Sequence, residues 1–466
     1  MIAWPFHWRD KRRHWELFLP AIGFPVAILQ LLIEGYRWQM IPAYILTAGG
    51  SVLAIWLFTN KKATTGNLKT KWGIVAAIGT LSFICLALSV IFGIILPVPD
   101  PPPPTGPYQV GTVTYYLIDE ARQEIYGQDS NRSRELMVQI WYPAETVKDA
   151  VHAQAIHGID KYYPAMTAYA GLPTISLSHL GLAEANAYEN VPLATTQPQY
   201  PVIIFSHGWN GFREQNITQV EELASHGYII VAPSHTYGAM GVVFPDGRVA
   251  LNDPDALSGQ GAELDQARQR LITQWAADLA FVLSELEKRD QDDPDGLFTG
   301  HLQLEQIAVM GHSTGVAAII QFCHQEPRCA WILGMDPWLG PLPPELMSAE
   351  TLWPVMFMHS EDWALTRDDN NTLIAEYISH TNNAYFQLTI LGSNHQDFTL
   401  VPLFSPLAAE LGFKGPITGE RVLEIVNVYS LAFFNEFLQH DHTPLLRDSA
   451  PRNYPEAKFA AYWPNR

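Results

Sequence analysis

Cysteine is scarce in this chain. Three cysteines in 466 residues exclude a disulfide-built scaffold. Cys85 sits in an apolar run and reads as a packing residue. Cys323 and Cys329 are able to pair in an oxidising compartment, and their spacing leaves the pairing open. No second cluster of ligands stands near them, so a zinc module is not expected. Basic residues are also few, 28 Lys and Arg against 47 Asp and Glu, for a formal net charge of −19. Residues 1–72 hold nine Lys/Arg and three Asp/Glu, about +6, which leaves the remainder near −25. So acidic a remainder argues against nucleic acid as a partner and against adhesion to anionic lipid through a basic face. There is no internal repeat. The composition is otherwise that of a globular chain, 48% hydrophobic and 16% charged.

What the first hundred residues do contain is long apolar runs. Residues 17–33, 40–58 and 72–96 are each near the length needed to cross the hydrocarbon at about 1.5 Å per residue. Trp15, Tyr36, Trp38 and Trp72 stand at their ends, as interfacial anchors do. Arg9, Lys11, Arg12 and Arg13 precede the first run, and Lys61, Lys62, Lys69 and Lys71 separate the second from the third. The positive-inside rule then gives a multi-pass protein of the cell membrane, its N-terminus cytoplasmic and everything after Leu96 extracytoplasmic. The first run lacks the small-residue cleavage pattern of a removable signal peptide. No ionisable cluster interrupts the runs, so they read as an anchor through three transmembrane helices and not as a transporter. A proline-rich linker, residues 97–107, reads as a stiff spacer lifting a domain off the bilayer.

From residue 108 to 466 short apolar runs alternate with helical patterns. Strands are expected over 110–118, 135–142, 201–205, 228–232, 331–335, 355–359 and 385–391, and helices over 263–286 and 419–438. Residues 145–198 are irregular and carry aromatics, which suggests a cap or entrance segment. The pattern predicts an α/β fold, a mostly parallel sheet with helices on both faces. Its centre is Gly311-His312-Ser313-Thr314-Gly315, between the apolar run 307–310 and an Ala-rich helical segment. That is the strand–turn–helix setting of a serine nucleophile elbow, in which both glycines keep side chains away from the crossing elements. An activated serine needs a base, a group to orient the base and donors for the oxyanion. In α/β-hydrolases the order is Ser, acid, His. Asp336 and the pair Glu361-Asp362 both close apolar runs downstream of Ser313, and spacing does not choose between them. The base candidate is His395, after the run ending at Leu391; His380, His440 and His442 lie in polar surroundings. His301, His324 and His359 have no paired context and read as structural. The His312 side chain is expected to point away from Ser313 and to pack. Gly208 permits close backbone approach, which makes the Trp209 amide one oxyanion donor and the Thr314 amide the other.

Several stretches together resemble the platelet-activating-factor acetylhydrolase family, the plasma-type calcium-independent phospholipases of the α/β-hydrolase superfamily. They are GPYQVGT, RELMVQIWYPA, PVIIFSHGWNGFR, IAVMGHSTG, LGMDPWLGPLP and GSNHQDF, within residues 106–438. The resemblance implies Ser313 as nucleophile, Asp336 as the acid, His395 as base, and the Trp209 and Thr314 amides as oxyanion donors. It implies hydrolysis of acetyl, short or oxidised sn-2 acyl esters of phospholipids, with no metal and no other cofactor. Two departures stand out. Val316 replaces a second glycine after the elbow, and the apolar N-terminal region lies outside the family pattern. The alternatives are a general carboxylesterase or polyester hydrolase of the same fold and a non-catalytic binding or scaffold protein.

Overall fold

The computed structural model describes residues 15–59, 68–127, 132–447 and 453–464. The basic residues at positions 9–13 and 61–62 therefore lie outside the described residues. Three helices open the chain: α1 (Trp15–Ile33), α2 (Ile41–Thr59) and α3 (Leu68–Ile95). Among the described residues two stretches are long and apolar enough to cross a bilayer, Trp38–Trp56 and Ala76–Ile95, and only 11% of each is buried, unlike a core helix. Of α1 only Ile22–Ile33 falls within the stretch whose side chains are described, so among the described residues there are two candidate spans where the sequence suggested three.

The domain then runs β1 (Gln109–Gln123), β2 (Ser133–Ala144), β3 (His152–Gln154), α4 (Ile159–Tyr169), β4 (Glu184–Glu189), β5 (Tyr200–Ser206), α5 (Ile217–Ser225) and β6 (Ile229–Ser234). A small hairpin, β7 (Gly241–Val243) and β8 (Val249–Leu251), precedes the long helix α6 (Ala262–Gln291). Next come β9 (Leu302–His312), α7 (Thr314–Gln325), β10 (Cys329–Met335), α8 (Pro344–Met347), β11 (Val355–Ser360), α9 (Glu361–Thr366) and α10 (Asp368–Ser379). β12 (Tyr385–Ile390), α11 (Gly419–Phe434) and β13 (Ala457–Tyr462) close the chain. One eleven-stranded sheet takes the order β13-β12-β11-β10-β9-β5-β6-β2-β1-β4-β3. Its middle six strands are parallel, and β1, β2 and β13 join antiparallel at the flanks.

Alternation along the central strands sorts their side chains to two cores. Ile203 and Phe205 of β5 and Ala308 and Met310 of β9 face α5 and α11. Val202, Ile204, Ile307 and Val309 face α6 and α7. β9, between β5 and β10, is thus covered on both faces, and its C-terminal end delivers Ser313 to the middle of the sheet edge. Val316 is accommodated by its neighbour. It is fully buried, and Gly334 of β10 lies so close that a Cβ there would sit 2.8 Å from Val316 Cγ1.

Two regions differ from expectation. Residues 145–198 are not irregular; they hold α4, a 3-10 segment (Thr174–Leu182), and the strands β3 and β4, which extend the sheet edge. The proline run is not a free spacer, because its carbonyls and amides are used by the domain. Asn186 Nδ2 donates to the Pro101 and Pro102 carbonyls, Thr105 N donates to Glu222, and Gly106 N donates to Ser225 Oγ. Polyproline backbone has no internal hydrogen bonds and offers its groups to whatever lies alongside.

Candidate active site

The elbow carries strain at one residue. Ser313 has φ +53° and ψ −121°, a backbone conformation that costs a non-glycine residue about 1–3 kcal/mol. Neighbouring bonds hold it: Ser313 N donates to Met335 O at 2.9 Å, and Trp338 N donates to Ser313 O at 3.2 Å. A Cβ on Gly315 would lie 2.2 Å from the Ser206 carbonyl, so α7 packs against β5 only with glycine there. Ser313 thereby stands at the N-terminus of α7, where free amides and the helix dipole favour negative charge.

Asp336 follows β10 directly, with φ +43°. The carboxylate is fully buried without a cation: Oδ1 accepts from Ser360 N at 2.7 Å, and Oδ2 accepts from Ser360 Oγ at 2.6 Å. His395 Nδ1 donates to the same Oδ2 at 3.0 Å, which leaves Nε2 as an acceptor. Asp362 is exposed, and its amide donates to Ser393 O at 3.1 Å; Glu361 accepts from Gly392 N at 2.8 Å. The two later acids brace the loop that bears His395, and neither bonds the imidazole. Asn394 and Asp397 fix the same loop through reciprocal side-chain and backbone bonds. Gly415 N also donates to Asp397 Oδ2, at 2.6 Å.

The His395 ring is held between two others. Trp363 stacks on one face at 4.1 Å and His312 on the other at 4.5 Å. His312 is expected to pack, and it packs on the imidazole and lines the cavity beside Ser313, not merely the core. Its Nδ1 accepts from Gln215 Nε2 at 3.0 Å, and its Nε2 donates to His395 O at 3.2 Å. Burial, reinforced by the neighbouring His395, pushes His312 well below the usual imidazole range, so it stays neutral. Sequence reasoning missed Trp363, Gln215 and Ser360. Their positions carry no motif, and only the fold brings them here.

The loop after β5 approaches the serine closely. A Cβ on Gly208 would lie 3.2 Å from Ser313 Cβ. Below it runs a second chain that the sequence did not suggest. Ser206 Oγ donates to His235 Nε2 at 2.9 Å, and His235 Nδ1 donates to Asp278 Oδ2 at 2.9 Å. Arg134 grips Asp278 with two bonds, at 3.0 and 2.6 Å. Burial raises the Asp278 carboxyl, but Arg134 and His235 outweigh it and leave it well below the carboxylate range. His235 N donates to His207 Nε2 at 3.0 Å, and His207 Nδ1 donates to Gly208 O at 2.8 Å. Burial pushes His207 down to about 3. This fully buried chain pins the loop on which Trp209 sits.

Ser313, His395 and Trp209 line one cavity of about 310 Å³. Its walls are largely apolar and include Met166 and Leu177 from the 145–198 segment, Phe404, and Leu96 at the end of α3. A pocket joining a few polar groups to apolar walls suits a small amphiphile. The Cys323 and Cys329 sulfurs are bonded, clipping the end of α7 to the start of β10.

The family model for platelet-activating factor acetylhydrolase, isoform II, matches residues 99–244 and 295–450, well over half of the chain. The chain belongs to this family. Similar proteins include the platelet-activating factor acetylhydrolase of Cavia porcellus, 27% identical over 73% of this chain and 78% of that protein. That of Gallus gallus is 25% identical over 52% of this chain and 62% of its own length. Among solved structures, the ferulic acid esterase from Streptomyces cinnamoneus shares the fold with a TM-score of 0.63 at 24% identity, over 78% of this chain and 99% of that one. As a member of the acetylhydrolase family, the protein is a serine ester hydrolase of the phospholipid or ester class. Neither half of the family match reaches α1 to α3.

Proposed function

We propose that this protein is a membrane-anchored α/β-hydrolase that cleaves the sn-2 ester of phospholipids bearing acetyl, short or oxidised acyl groups. The observation that carries the reading is the His395–Asp336 bond at 3.0 Å, opening on the cavity that Ser313 shares. Ser313 Oγ attacks the acyl carbon while His395 Nε2 takes its proton. The Trp209 and Thr314 amides hold the oxyanion, each contributing roughly 3 kcal/mol to the transition state. The tetrahedral adduct then expels the lysophospholipid alkoxide, which leaves with the proton from His395. Water, deprotonated in turn by His395, attacks the acyl-serine and releases the carboxylic acid. Asp336 keeps the proton on His395 Nδ1 and stabilises the imidazolium, and its other hydrogen bonds among the described residues come from Ser360.

Anchoring rests on α2 and α3 as spans, with α1 completing a three-helix anchor. The Cys323–Cys329 disulfide supports placing the domain outside the cytoplasm. The test is a series of phospholipids of increasing sn-2 length, measured on the full chain beside p-nitrophenyl esters. A rate that falls with sn-2 length above a strong response to acetyl is expected. A flat or absent phospholipid response beside rapid p-nitrophenyl hydrolysis points instead to a general carboxylesterase. No hydrolysis, with no uptake of a fluorophosphonate, leaves a non-catalytic binding protein.

A further inference from the structure

The cavity and the anchor share a residue. Leu96, the first residue after α3, lines the cavity that holds Ser313. The apolar stretch Ala76–Ile95 is 20 residues long. At a rise of about 1.5 Å per residue these 20 residues alone cover about 30 Å, enough to cross the hydrocarbon, and the apolar run extends back to Trp72. Where α3 crosses a bilayer, its end at Ile95 lies at the outer side of the acyl region, because Pro97, Pro99 and Asp100 follow at once, and the cavity wall begins one residue later.

The domain is clamped at that level. Ser405 Oγ donates to Ile95 O at 2.6 Å, and Gln39 Nε2 donates to Leu96 O at 2.8 Å. His179 Nε2 donates to Pro97 O at 3.0 Å. Gly35, in the turn between α1 and α2, lies so close to Leu182 that a Cβ would come within 2.7 Å of its side chain. The contacts from Ser405, His179 and Leu182 lie in or just beyond the two segments that wall the cavity, 166–177 and 404–413. Each carries large apolar side chains facing outward: Tyr169 is 73% exposed, Ile175 44%, Leu407 37% and Leu411 57%. Apolar groups gathered beside a helix end, with a tyrosine among them, match the chemistry of the bilayer interface.

We propose that the cavity opens onto the outer leaflet beside α3, and that its substrate is a bilayer-resident lipid ester admitted without crossing water. The proposal rests on the anchored-esterase reading and adds the route by which the ester arrives. The occupant of the exposed apolar face is outer-leaflet phospholipid, because the face is continuous with the end of a candidate span.

Ile175 and Leu407 are exposed on these two segments and do not line the cavity. In the full chain reconstituted in phosphatidylcholine nanodiscs, Ile175→Glu with Leu407→Glu should lower turnover of a nanodisc-borne 2-acetyl phospholipid by about tenfold or more, since carboxylates resist insertion beside lipid. Hydrolysis of p-nitrophenyl acetate, which arrives through water, should change less than about twofold, as surface substitutions ordinarily allow. Independently, Leu407→Cys in a Cys85→Ala background, labelled with bimane, should be quenched by brominated phosphatidylcholine. An unquenched label overturns the proposal, as does a bilayer-borne rate that survives both glutamates. If the glutamates lower both rates alike, the quenching measurement decides. A glutamate pair that converts a dimeric particle to a monomer shows that a second copy covers the face, and also overturns it. Failure of the underlying reading looks different: wild-type protein hydrolyses neither ester, whatever the quenching shows.

Discussion

Two serine–histidine–aspartate groups stand close together in this domain, Ser206–His235–Asp278 and Ser313–His395–Asp336, and they differ in what surrounds them. The first is sealed: all three residues are essentially inaccessible, and the Asp278 charge is matched by Arg134. The second faces a cavity: the His395 side chain is 22% exposed, and Asp336 pairs with no Lys or Arg among the described residues. Ser206 lies in ordinary strand backbone, whereas Ser313 is held at positive φ at the head of a helix. Each group has a histidine bonded to a carboxylate, at 2.9 and 3.0 Å, so that bond alone does not set the two apart. What favours the second as the proposed catalytic group is access to the cavity and the place of Ser313 at the head of a helix. The buried group nonetheless serves the exposed one, because His235 and His207 hold the Gly208 loop against Ser313.

The sharpest way to break the comparison is to remove each serine. Ser313→Ala should abolish fluorophosphonate labelling and lower ester turnover by at least about 10³-fold. Ser206→Ala should still take up the label. Labelling of Ser313→Ala, or its loss in Ser206→Ala protein that remains folded, would assign the chemistry to the wrong chain. Next come the acids. Asp336→Asn should cut kcat by about 10⁴-fold, because an amide presents its NH₂ to Nδ1 and favours the wrong imidazole tautomer. Asp362→Asn should stay within about twofold, as an exposed carboxylate that never meets the ring. The reverse ranking in steady-state kinetics would overturn the choice of Asp336.

For the sealed chain the expected effect is on stability. Asp278→Asn leaves Arg134 with one carboxylate partner, Glu124, and should cost about 3–5 kcal/mol, read as a fall in Tm of the detergent-solubilised chain. A further effect on stability comes with pH. Burial holds His207 at about 3, below an unfolded value of about 6.5. Above pH about 6.5 the residue is neutral in both states and contributes no slope. Below it the unfolded chain binds a proton that the folded chain refuses, so stability falls from pH about 6.5 toward 3, by up to about 1.4 kcal/mol per unit. His235 and His312, both depressed by burial, act in the same direction. A Tm that holds constant from pH 7 to 5 would show that these rings are not held neutral.

Much of the parallel sheet was legible because its strands are short apolar runs bounded by Gly, Pro and Ser, and the elbow because its glycines sit between a strand and a helix. β13 escaped notice. Its residues, Ala457–Tyr462, alternate weakly and gain meaning only by pairing antiparallel with β12. The 145–198 segment read as irregular because its elements are short, and its helix α4 contains Pro164. Within the site, Ser313 and His395 could be named from local pattern. The choice of Asp336 over Asp362 could not, since both follow apolar runs and only the sheet order puts one under the histidine. His312 shows the same limit. One residue from the serine, it was assigned to packing, and the ring it packs against lies 83 residues further along.

The docked proline run has a consequence for how the parts would come apart. Because Pro101, Pro102, Thr105 and Gly106 are each bonded to the domain, and Ile95, Leu96 and Pro97 are held by side chains from elsewhere in the chain, peptide continuity is only one of several connections between helices and domain. A protease that nicks the run at its exposed Pro103 would leave two fragments still joined by non-covalent contacts. Shedding of the domain would then require unfolding the seam as well as cutting the chain.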